Sequence, residues 1–400
     1  MIKKVNVKQL RPGMFIHDMN CGWLRHPFLK NSIKIKDGTT IRKMSEYGIS
    51  EVYIDTDKGP DVDHMPTKQE LDREIQKQLD EIADSKYSLV KSESLEKELI
   101  RAREIRKEAK YTVRNIMEEI RFGRPIKTEK VEKVVDRMVD SIFRNQDALI
   151  ALGRIKRADE YTYMHSLSVC ILMISFGKHL GFDVRQLKEI GIGAMLHDIG
   201  KMQVPEEILN NKGALKEHEY ELMKKHVEYS HSLLEKTEGI SELSVIIATQ
   251  HHERLDGKGY PNNLKGDAIS IYGQAAAIAD VYDAMTSQRC YQRKYEPTEA
   301  LRKLYEWSES YNRALVAQFI RCVGIYPVGS LVLLESGLLG VVRDRGKDNL
   351  LQPNVRIVYD TKKARHVVPP YDLDLSMGGK DMIRSYESAD KWNIRPELLL

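Results

Sequence analysis

The segment Gly191–Lys201, GIGAMLHDIGK, decides the fold because it places a His-Asp pair at the end of an apolar helix. The wider stretch Leu187–Ile199 is apolar on nearly all sides, as expected of a helix at the centre of a bundle. A carboxylate in such a segment is costly unless something compensates its charge. A divalent cation does so effectively, and adjacent ligands of this kind can serve two ions. The pattern predicts that His197 and Asp198 bind metal, with Asp198 bridging.

Other helices also present metal-ligand side chains from an apolar background. His251-His252 ends SVIIATQHH, Asp280 lies within AAAIADVYDAM, and His165 opens the amphipathic helix HSLSVCILMI. Metal sites inside helical bundles are assembled in this way. A His/Asp set without thiolates suits two divalent transition-metal ions, with Fe or Mn favoured and Ni, Co or Zn as alternatives, rather than Ca. Two such ions about 3.5–4 Å apart can clamp a phosphate for in-line hydrolysis.

Composition narrows the class of protein. The chain has 400 residues, 42% hydrophobic and 30% charged, with a formal net charge of +4. That charge is too small to indicate a nucleic-acid polymer or a membrane as partner. The N-terminus lacks the apolar run of a secretory signal, and no stretch reaches the ~18 apolar residues of a membrane helix. The four scattered cysteines suit a reducing compartment, so a cytoplasmic location is predicted.

The hydrophobic pattern divides the chain into four parts and predicts a mainly α fold. These are a small α+β domain at 1–65, a charged helical linker at 66–140, a helical domain at 141–326 and a β-rich C-terminal extension at 327–400. The linker is favoured as an exposed connecting helix. The alternative is a coiled coil that pairs with a copy of itself and makes a homodimer.

Short β-prone runs identify the two terminal modules. In the N-terminal module they are Val5–Val7, Met14–His17, Ser32–Ile35 and Val52–Ile54, with a short helix over Thr40–Tyr47 that ends near Gly48. In the C-terminal extension they are Ser330–Leu334, Gly340–Arg343 and Val355–Tyr359. No chemistry follows from either module.

The ordered motifs resemble a known enzyme family. The order His165, His197-Asp198, Asp280 resembles the HD phosphohydrolase superfamily. The segments HDIGKMQVPEEIL, HHERLDGKGYP and IADVYDAMTSQRCY are similar to its HD-GYP subfamily in order and spacing, over nearly all of residues 140–330. The resemblance implies an HD-type helical bundle and a metal-dependent phosphodiesterase acting on cyclic di-GMP. QLRPGMFI, WLRHPF and VYIDT resemble an uncharacterised domain found ahead of such domains, with a regulatory or assembly role.

The resemblance also implies site residues. The metal ligands would be His165, His197, Asp198, His226, His251, His252 and Asp280. Asp198 and Lys201 would be catalytic, with Lys201 near the scissile phosphate; a solvated helix-end lysine is the alternative. The substrate contacts would be Lys201, Arg289, Gly259, Tyr260 and Pro261, the last three also being explicable as a tight turn. The nearby Asp283 is a rival for the role of metal ligand, but the match favours Asp280, and Asp283 is expected to be structural. For His252, binding the substrate is the alternative to binding metal.

One departure from the family concerns the number of metal ions. Some members carry a glutamate four residues before the first histidine and use it for a third ion, whereas this chain has Tyr161 there. Glu160 is one residue away, a rotation of about 100° on a helix. Two metals are therefore expected, and Glu160 reaching in through a local distortion is the alternative.

Three functions remain open. The first is hydrolysis of cyclic di-GMP to linear pGpG, or onward to GMP, by in-line attack of a metal-bridging hydroxide. The second is hydrolysis of another nucleotide, such as cyclic GMP-AMP. The third is a catalytically silent receptor for the dinucleotide, although none of the motif ligands is missing.

Overall fold

A computed structural model describes residues 1–21, 28, 31–62, 64–84, 92–155, 161–211, 213, 215–287, 295–307, 309–346, 349–377 and 381–400. Its helices, numbered in chain order, are α1 (Gly38–Glu46), α2 (Lys68–Ala83), α3 (Leu95–Arg121), α4 (Thr128–Gly153), α5 (Tyr161–His179), α6 (Val184–Leu196), α7 (Glu206–Leu209), α8 (Glu217–Lys224), α9 (His226–Glu235), α10 (Glu242–Gln250), α11 (Ile271–Thr286), α12 (Pro297–Glu306) and α13 (Arg313–Val323). Its strands are β1 (Ile2–Asn6), β2 (Phe15–Asp18), β3 (Ile33–Lys34), β4 (Glu51–Asp55), β5 (Leu331–Leu334), β6 (Leu338–Asp344), β7 (Asn354–Asp360), β8 (Arg365–Asp374) and β9 (Ile383–Glu387). The predicted mainly α fold with a strand-containing module at each end is confirmed.

The N-terminal module is an antiparallel sheet in the order β1-β4-β2-β3, with α1 packed on it. All four predicted strands are present; β1 begins three residues before its predicted start, and the other strand ends differ by one residue. The side chain of Asp37 caps the start of α1 by accepting from the backbone N–H groups of Thr39 and Thr40. The chain leaves α1 through Gly48, whose φ of +72° favours glycine. The module has its own apolar core, which includes Val5, Ile16 and Met44.

The segment predicted as an exposed connecting helix differs in the structure. It contains α2 and α3, and α3 lies along α4 inside the same apolar core as the rest of the bundle. The residues responsible follow helical spacing: Leu95, Leu99, Ala102, Ile105, Ala109, Val113, Ile116, Met117 and Ile120. Charged residues are abundant on the opposite face of α3, so the composition of the segment does not reveal this apolar stripe. Because α4 covers it, the stripe is not available for a second copy of the chain.

Helices α5 and α10 pack closely against α6, and α9 packs against the turn that follows α6. Gly193 shows how tight this packing is, because a Cβ there would lie 2.7 Å from the Cα of Ser244 on α10. On α4 the apolar stripe from Val131 to Ile142 is buried in the same core. Helix α5 differs from its prediction: it begins at Tyr161, before His165, and from Met164 to Gly177 it is buried on all sides rather than amphipathic.

The C-terminal module is an antiparallel sheet in the order β8-β7-β6-β5-β9. The three predicted strands correspond to β5, β6 and β7. The sequence missed β8 because this strand is almost wholly exposed and contains Pro369 and Pro370, so it lacks apolar alternation. In the part of the chain that is described, no helix is long and apolar enough to cross a bilayer.

Candidate metal centre

The structure brings the seven predicted ligand side chains together at the middle of the bundle. They lie on α5 (His165), just after α6 (His197 and Asp198), at the start of α9 (His226), just after α10 (His251 and His252) and within α11 (Asp280). Six of them are at most 3% exposed, and His252 is the more accessible member.

The ligand atoms form two groups, within each of which all atoms lie within 4.8 Å of one another. The first group is Asp198, His226, His251 and His252, and the second is His165, His197 and Asp280. Each group has three or four nitrogen and oxygen donors, which is the size of a protein site for a transition-metal ion that keeps an open position. The arrangement fits two neighbouring cations.

Asp198 stands between the two groups. Its Oδ1 lies 3.3 Å from Nε2 of His226, and its Oδ2 lies 3.3 Å from Nε2 of His197. Asp280 has a similar position, with Oδ1 2.9 Å from Nε2 of His165 and Oδ2 3.8 Å from Nδ1 of His252. Both carboxylates therefore face imidazoles of both groups. This is the geometry expected of a bridging ligand.

Hydrogen bonds on the far side of the rings fix their orientation. Three ligand imidazoles donate through Nδ1 to a backbone carbonyl three residues earlier: His197 to Ala194 at 2.7 Å, His226 to Met223 at 2.7 Å and His251 to Ala248 at 2.8 Å. His165 donates through Nδ1 to the Asp283 carboxylate at 2.6 Å. With the proton on Nδ1, the lone pair of Nε2 points to the centre, as metal ligands require.

Several polar atoms at the centre are buried without a hydrogen-bond partner among the described residues. They are Nε2 of His197, His226 and His251, Oδ1 of Asp198 and Oδ2 of Asp280. Buried polar atoms are normally paired, and leaving one unpaired costs about 1–3 kcal/mol. All five belong to the predicted ligand set and point into one space. The residues present therefore fit divalent metal ions.

The charge states also suit cations. Burial alone would raise the pKa of Asp198, but Lys201 and the neighbouring imidazoles hold it well below its usual range. Burial and the nearby imidazole of His197 lower the pKa of His251 to about 3. Burial likewise holds the pKa of His252 well below its usual value. At neutral pH the carboxylate is ionised and these two rings are neutral, which are the forms that bind metal.

The predicted substrate contacts have different outcomes. Lys201 donates to the Asp198 carboxylate, and its side chain is 20% exposed, so it lies at the centre rather than in bulk solvent. Arg289 and Glu160 lie outside the described residues. Asp283, expected to be structural, contacts the ligand His165, and the sequence did not indicate this contact.

The loop Gly257–Pro261 packs against the backbone of residues 252–254. At Gly259 a Cβ would lie 2.5 Å from the backbone N of Arg254, so the absence of a side chain permits this close approach. Tyr260 stacks on His252, with ring centroids 4.6 Å apart, and the Tyr260–Pro261 peptide bond is cis. Glu253 secures the far end of the loop by accepting from the backbone N–H groups of Asn262 (2.7 Å) and Leu264 (2.9 Å). Motif analysis did not single out Glu253.

An open cavity of about 800 Å³ adjoins the metal centre. His251, His252 and Asp280 form its edge toward the centre, and aromatic side chains line much of the remainder: Tyr220, Tyr260, Tyr295, Trp307 and Tyr311. The N-terminal module contributes Cys21 and Tyr47. Nothing in the local sequence around these two residues indicated a role at the site, because only the docking of the modules brings them there.

Two family models match the chain. Residues 142–315 match the HD domain family, and residues 2–131 match a domain of unknown function, DUF3391. A cyclic di-GMP phosphodiesterase of Pseudomonas aeruginosa is 36% identical over 397 residues, which is 99% of this chain and 94% of that protein. A cyclic di-GMP phosphodiesterase of Thermotoga maritima is 36% identical over 184 residues, 46% of this chain and 50% of that protein.

More distant likenesses include a 3'3'-cGAMP-specific phosphodiesterase of Vibrio cholerae. It is 36% identical over 154 residues, 38% of this chain and 36% of that protein. Among solved structures, an HD-GYP-type protein of Bdellovibrio bacteriovorus aligns with a TM-score of 0.48 at 17% identity, covering 80% of this chain and 98% of that one.

Proposed function

The chain belongs to the HD-GYP family of HD-domain proteins, and we propose that it is a metal-dependent phosphodiesterase that hydrolyses cyclic di-GMP to linear pGpG. The observation that carries the proposal is the pair of ligand groups with Asp198 between them. A relative that matches almost end to end is named for this activity. Further cleavage to GMP is a second step that the same centre could perform.

We assign one divalent ion to each ligand group, with Asp198 as bridge. His226, His251 and His252 would complete the first site, and His165, His197 and Asp280 the second. Fe and Mn are the favoured metals because the donors are imidazoles and carboxylates, and Ni, Co or Zn would also fit. Two ions rather than three follow from Tyr161, which occupies the family's third-metal position.

The metals, when bound, would supply Lewis-acid chemistry that polarises the phosphodiester and acidifies a water molecule. The protein's own side chains would set up that chemistry. The backbone-tethered imidazoles fix the direction of each Nε2, and burial excludes bulk water. Once Asp198 binds metal, the Lys201 ammonium is positioned to offer its charge to a phosphate or leaving-group oxygen. Tyr260 and His252, stacked at the cavity edge, are placed to contact substrate, and Arg289 is proposed as a phosphate contact.

Metal analysis coupled to turnover tests the proposal. Anaerobically prepared protein is expected to hold close to two metal ions per chain and to release linear pGpG from cyclic di-GMP. Asp198→Ala should abolish turnover and lower the metal content, whereas Asp140→Ala, on an exposed face of α4, should change neither. Full activity in metal-reconstituted Asp198→Ala would contradict the mechanism. A metal count of three would favour a role for Glu160.

Cyclic GMP-AMP is the second candidate substrate, because a phosphodiesterase that is similar to part of this chain is named for that substrate. Side-by-side turnover decides between the two: faster cleavage of cyclic GMP-AMP would overturn the choice of cyclic di-GMP. The third possibility, a silent receptor, predicts tight binding of cyclic di-GMP without product. Retention of all seven ligands in one buried centre argues against it.

Three wider assignments accompany the proposal. We divide the chain into a regulatory or assembly domain (1–65), a helical linker (66–140), the phosphodiesterase domain (141–326) and a β-rich extension (327–400). A homodimer through the linker would have to use the outer face of α3, where Ile100 and Tyr111 are exposed, because the apolar stripe is buried. A cytoplasmic location rests on the scattered cysteines.

A further inference from the structure

The N-terminal module contributes two residues to the cavity wall, Cys21 and Tyr47. Next to each of them, hydrogen bonds hold the module to the rest of the chain. Hydrogen bonds join Asn20 Oδ1 to Trp307 Nε1 at 3.2 Å, Asp18 Oδ2 to Lys303 Nζ at 3.3 Å and the Gly48 carbonyl to Lys258 Nζ at 3.2 Å. Asp18 and Asn20 lie just before Cys21 in the chain, and Gly48 directly follows Tyr47. Burial and these contacts make the module part of the cavity wall rather than a loosely tethered neighbour.

Tyr47 is held in a defined position at this wall. Its ring packs edge-to-face on Tyr220, with centroids 6.2 Å apart and an interplanar angle of 73°. Its hydroxyl donates to the Glu217 carboxylate, and burial together with that carboxylate raises the pKa of Tyr47 to about 12. The phenol therefore stays neutral at physiological pH. A fixed, neutral aromatic ring at a cavity is suited to stacking against another flat ring.

The lining of the cavity indicates which flat ring it takes. The cavity begins at His252 and Asp280, which belong to the metal centre, and extends from them to Tyr47. A phosphate held at the metals would place an attached nucleoside in this space. The acidic Glu253 and Asp280 in the lining are matched by Arg254 and Lys258, and six lining side chains are Tyr or Trp. Stacking between bases and such side chains recurs wherever proteins bind single-stranded nucleotides.

We propose that the N-terminal module completes a nucleobase subsite, in which a purine of the substrate stacks within the aromatic wall that includes Tyr47. Tyr47 is then a specificity-determining residue supplied from outside the catalytic domain. This inference rests on the proposed function, because it needs the phosphate to lie at the metal centre. It gives the N-terminal module a role in binding substrate, in addition to any regulatory role.

Binding of GMP and of inorganic phosphate to the full-length, metal-loaded protein tests the proposal by isothermal titration calorimetry. Both ligands offer a phosphate to the centre, but only GMP has a base. Tyr47→Leu should weaken GMP binding by at least about fivefold, the loss of one stacking contact, and leave phosphate binding within about twofold. Tyr371→Leu makes the same change on the exposed strand β8 and should alter neither affinity.

A second variant guards against misfolding of Tyr47→Leu. Tyr47→Trp keeps an aromatic face and adds a fluorophore at the proposed subsite. GMP should quench the emission of this variant more strongly than it quenches wild-type emission, and inorganic phosphate should not. The proposal is overturned by wild-type GMP affinity in Tyr47→Leu, by equal losses for GMP and phosphate, or by GMP quenching that is no stronger in Tyr47→Trp than in the wild type.

The test of the Tyr47 subsite and the test of the proposed function can fail independently of each other. A wild-type protein that fails to cleave cyclic di-GMP would contradict the substrate assignment, while GMP and phosphate binding would still decide whether Tyr47 belongs to a base subsite. Conversely, normal cyclic di-GMP cleavage with unaltered GMP binding in Tyr47→Leu would remove the subsite and leave the enzyme assignment intact.

Discussion

His165 and Asp283 are joined by a hydrogen bond of 2.6 Å that lies behind the metal centre. Asp283 is 5% exposed and sits on α11 three residues after the ligand Asp280. One helix thus supplies both a ligand and the carboxylate that orients a second ligand. Such partners fix the tautomer of the ring and make it a stronger ligand.

Asp283→Asn should weaken metal binding without unfolding the protein. The amide keeps the shape of the side chain but loses the charge that supports His165, and changes of this kind typically cost about 10–100-fold in metal affinity or activity. Competition with a chelator of known affinity measures the effect. Asp140→Asn, the same change on an exposed face of α4, serves as control. Unchanged affinity in Asp283→Asn would mean that His165 needs no orienting partner.

Gly200→Ala should destabilise the turn that carries the His-Asp pair. A Cβ at this position would lie 2.1 Å from the carbonyl oxygen of His226, whose helix crosses the turn directly. Overpacking costs about 1–3 kcal/mol, and more where backbone has to move. The free energy of unfolding in urea measures the loss. Gly38→Ala, where nothing lies within 4 Å of the added carbon, should not destabilise. Equal stabilities would contradict the close crossing of α9 over the turn.

Arg144→Met should lower stability because it removes one of the two arginines that pair with a buried carboxylate. The carboxylate of Glu98, fully buried on α3, accepts from Arg144 Nε at 2.7 Å and from Ser141 Oγ at 2.7 Å on α4. Removing one partner of such a group costs about 1–3 kcal/mol. Arg114→Met, which breaks an exposed pair with Glu118 on the same helix, should cost less than about 1 kcal/mol. Chemical denaturation compares them, and equal losses would refute the buried pair.

The metal-free protein should lose stability as the pH falls below about 6.5. In the folded state burial lowers the pKa of His251 to about 3 from its usual value of 6.5. Between these values the unfolded chain binds the proton and the folded chain does not, so protonation favours unfolding. The stability is fully present above 6.5 and declines toward pH 3. Melting temperatures of chelator-treated protein across this range measure the slope.

Two histidine variants separate this effect from general acid sensitivity. His251→Asn should flatten the pH slope of the metal-free protein, while His231→Asn, on an exposed position of α9, should preserve it. Adding back a divalent metal at 100 times its dissociation constant should stabilise the wild type by about 2.7 kcal/mol for each site that it fills. Identical slopes in the two variants would show that His251 is not the group responsible.

Local sequence was sufficient for the helices that carry the ligands. The apolar runs before His197 and His251, and around Asp280, predict buried helices because burial and helical periodicity are properties of a short window. The same holds for the strands β1 to β7, whose runs are short and apolar. Local sequence was not sufficient for β8, which is stabilised by pairing with β7 rather than by an apolar face. It was also not sufficient for α3, because charged residues on the opposite face of the helix mask its apolar stripe.

The sequence by itself determined the ligand set and its order along the chain, since residue type and spacing select metal chemistry. Only the tertiary structure decided that the two oxygens of Asp198 face different imidazole groups, that Asp283 holds His165 and that Tyr47 reaches the cavity. These relations join residues far apart in the chain. Their geometry depends on how helices and modules dock, which is set by packing over the whole core and not by any local window.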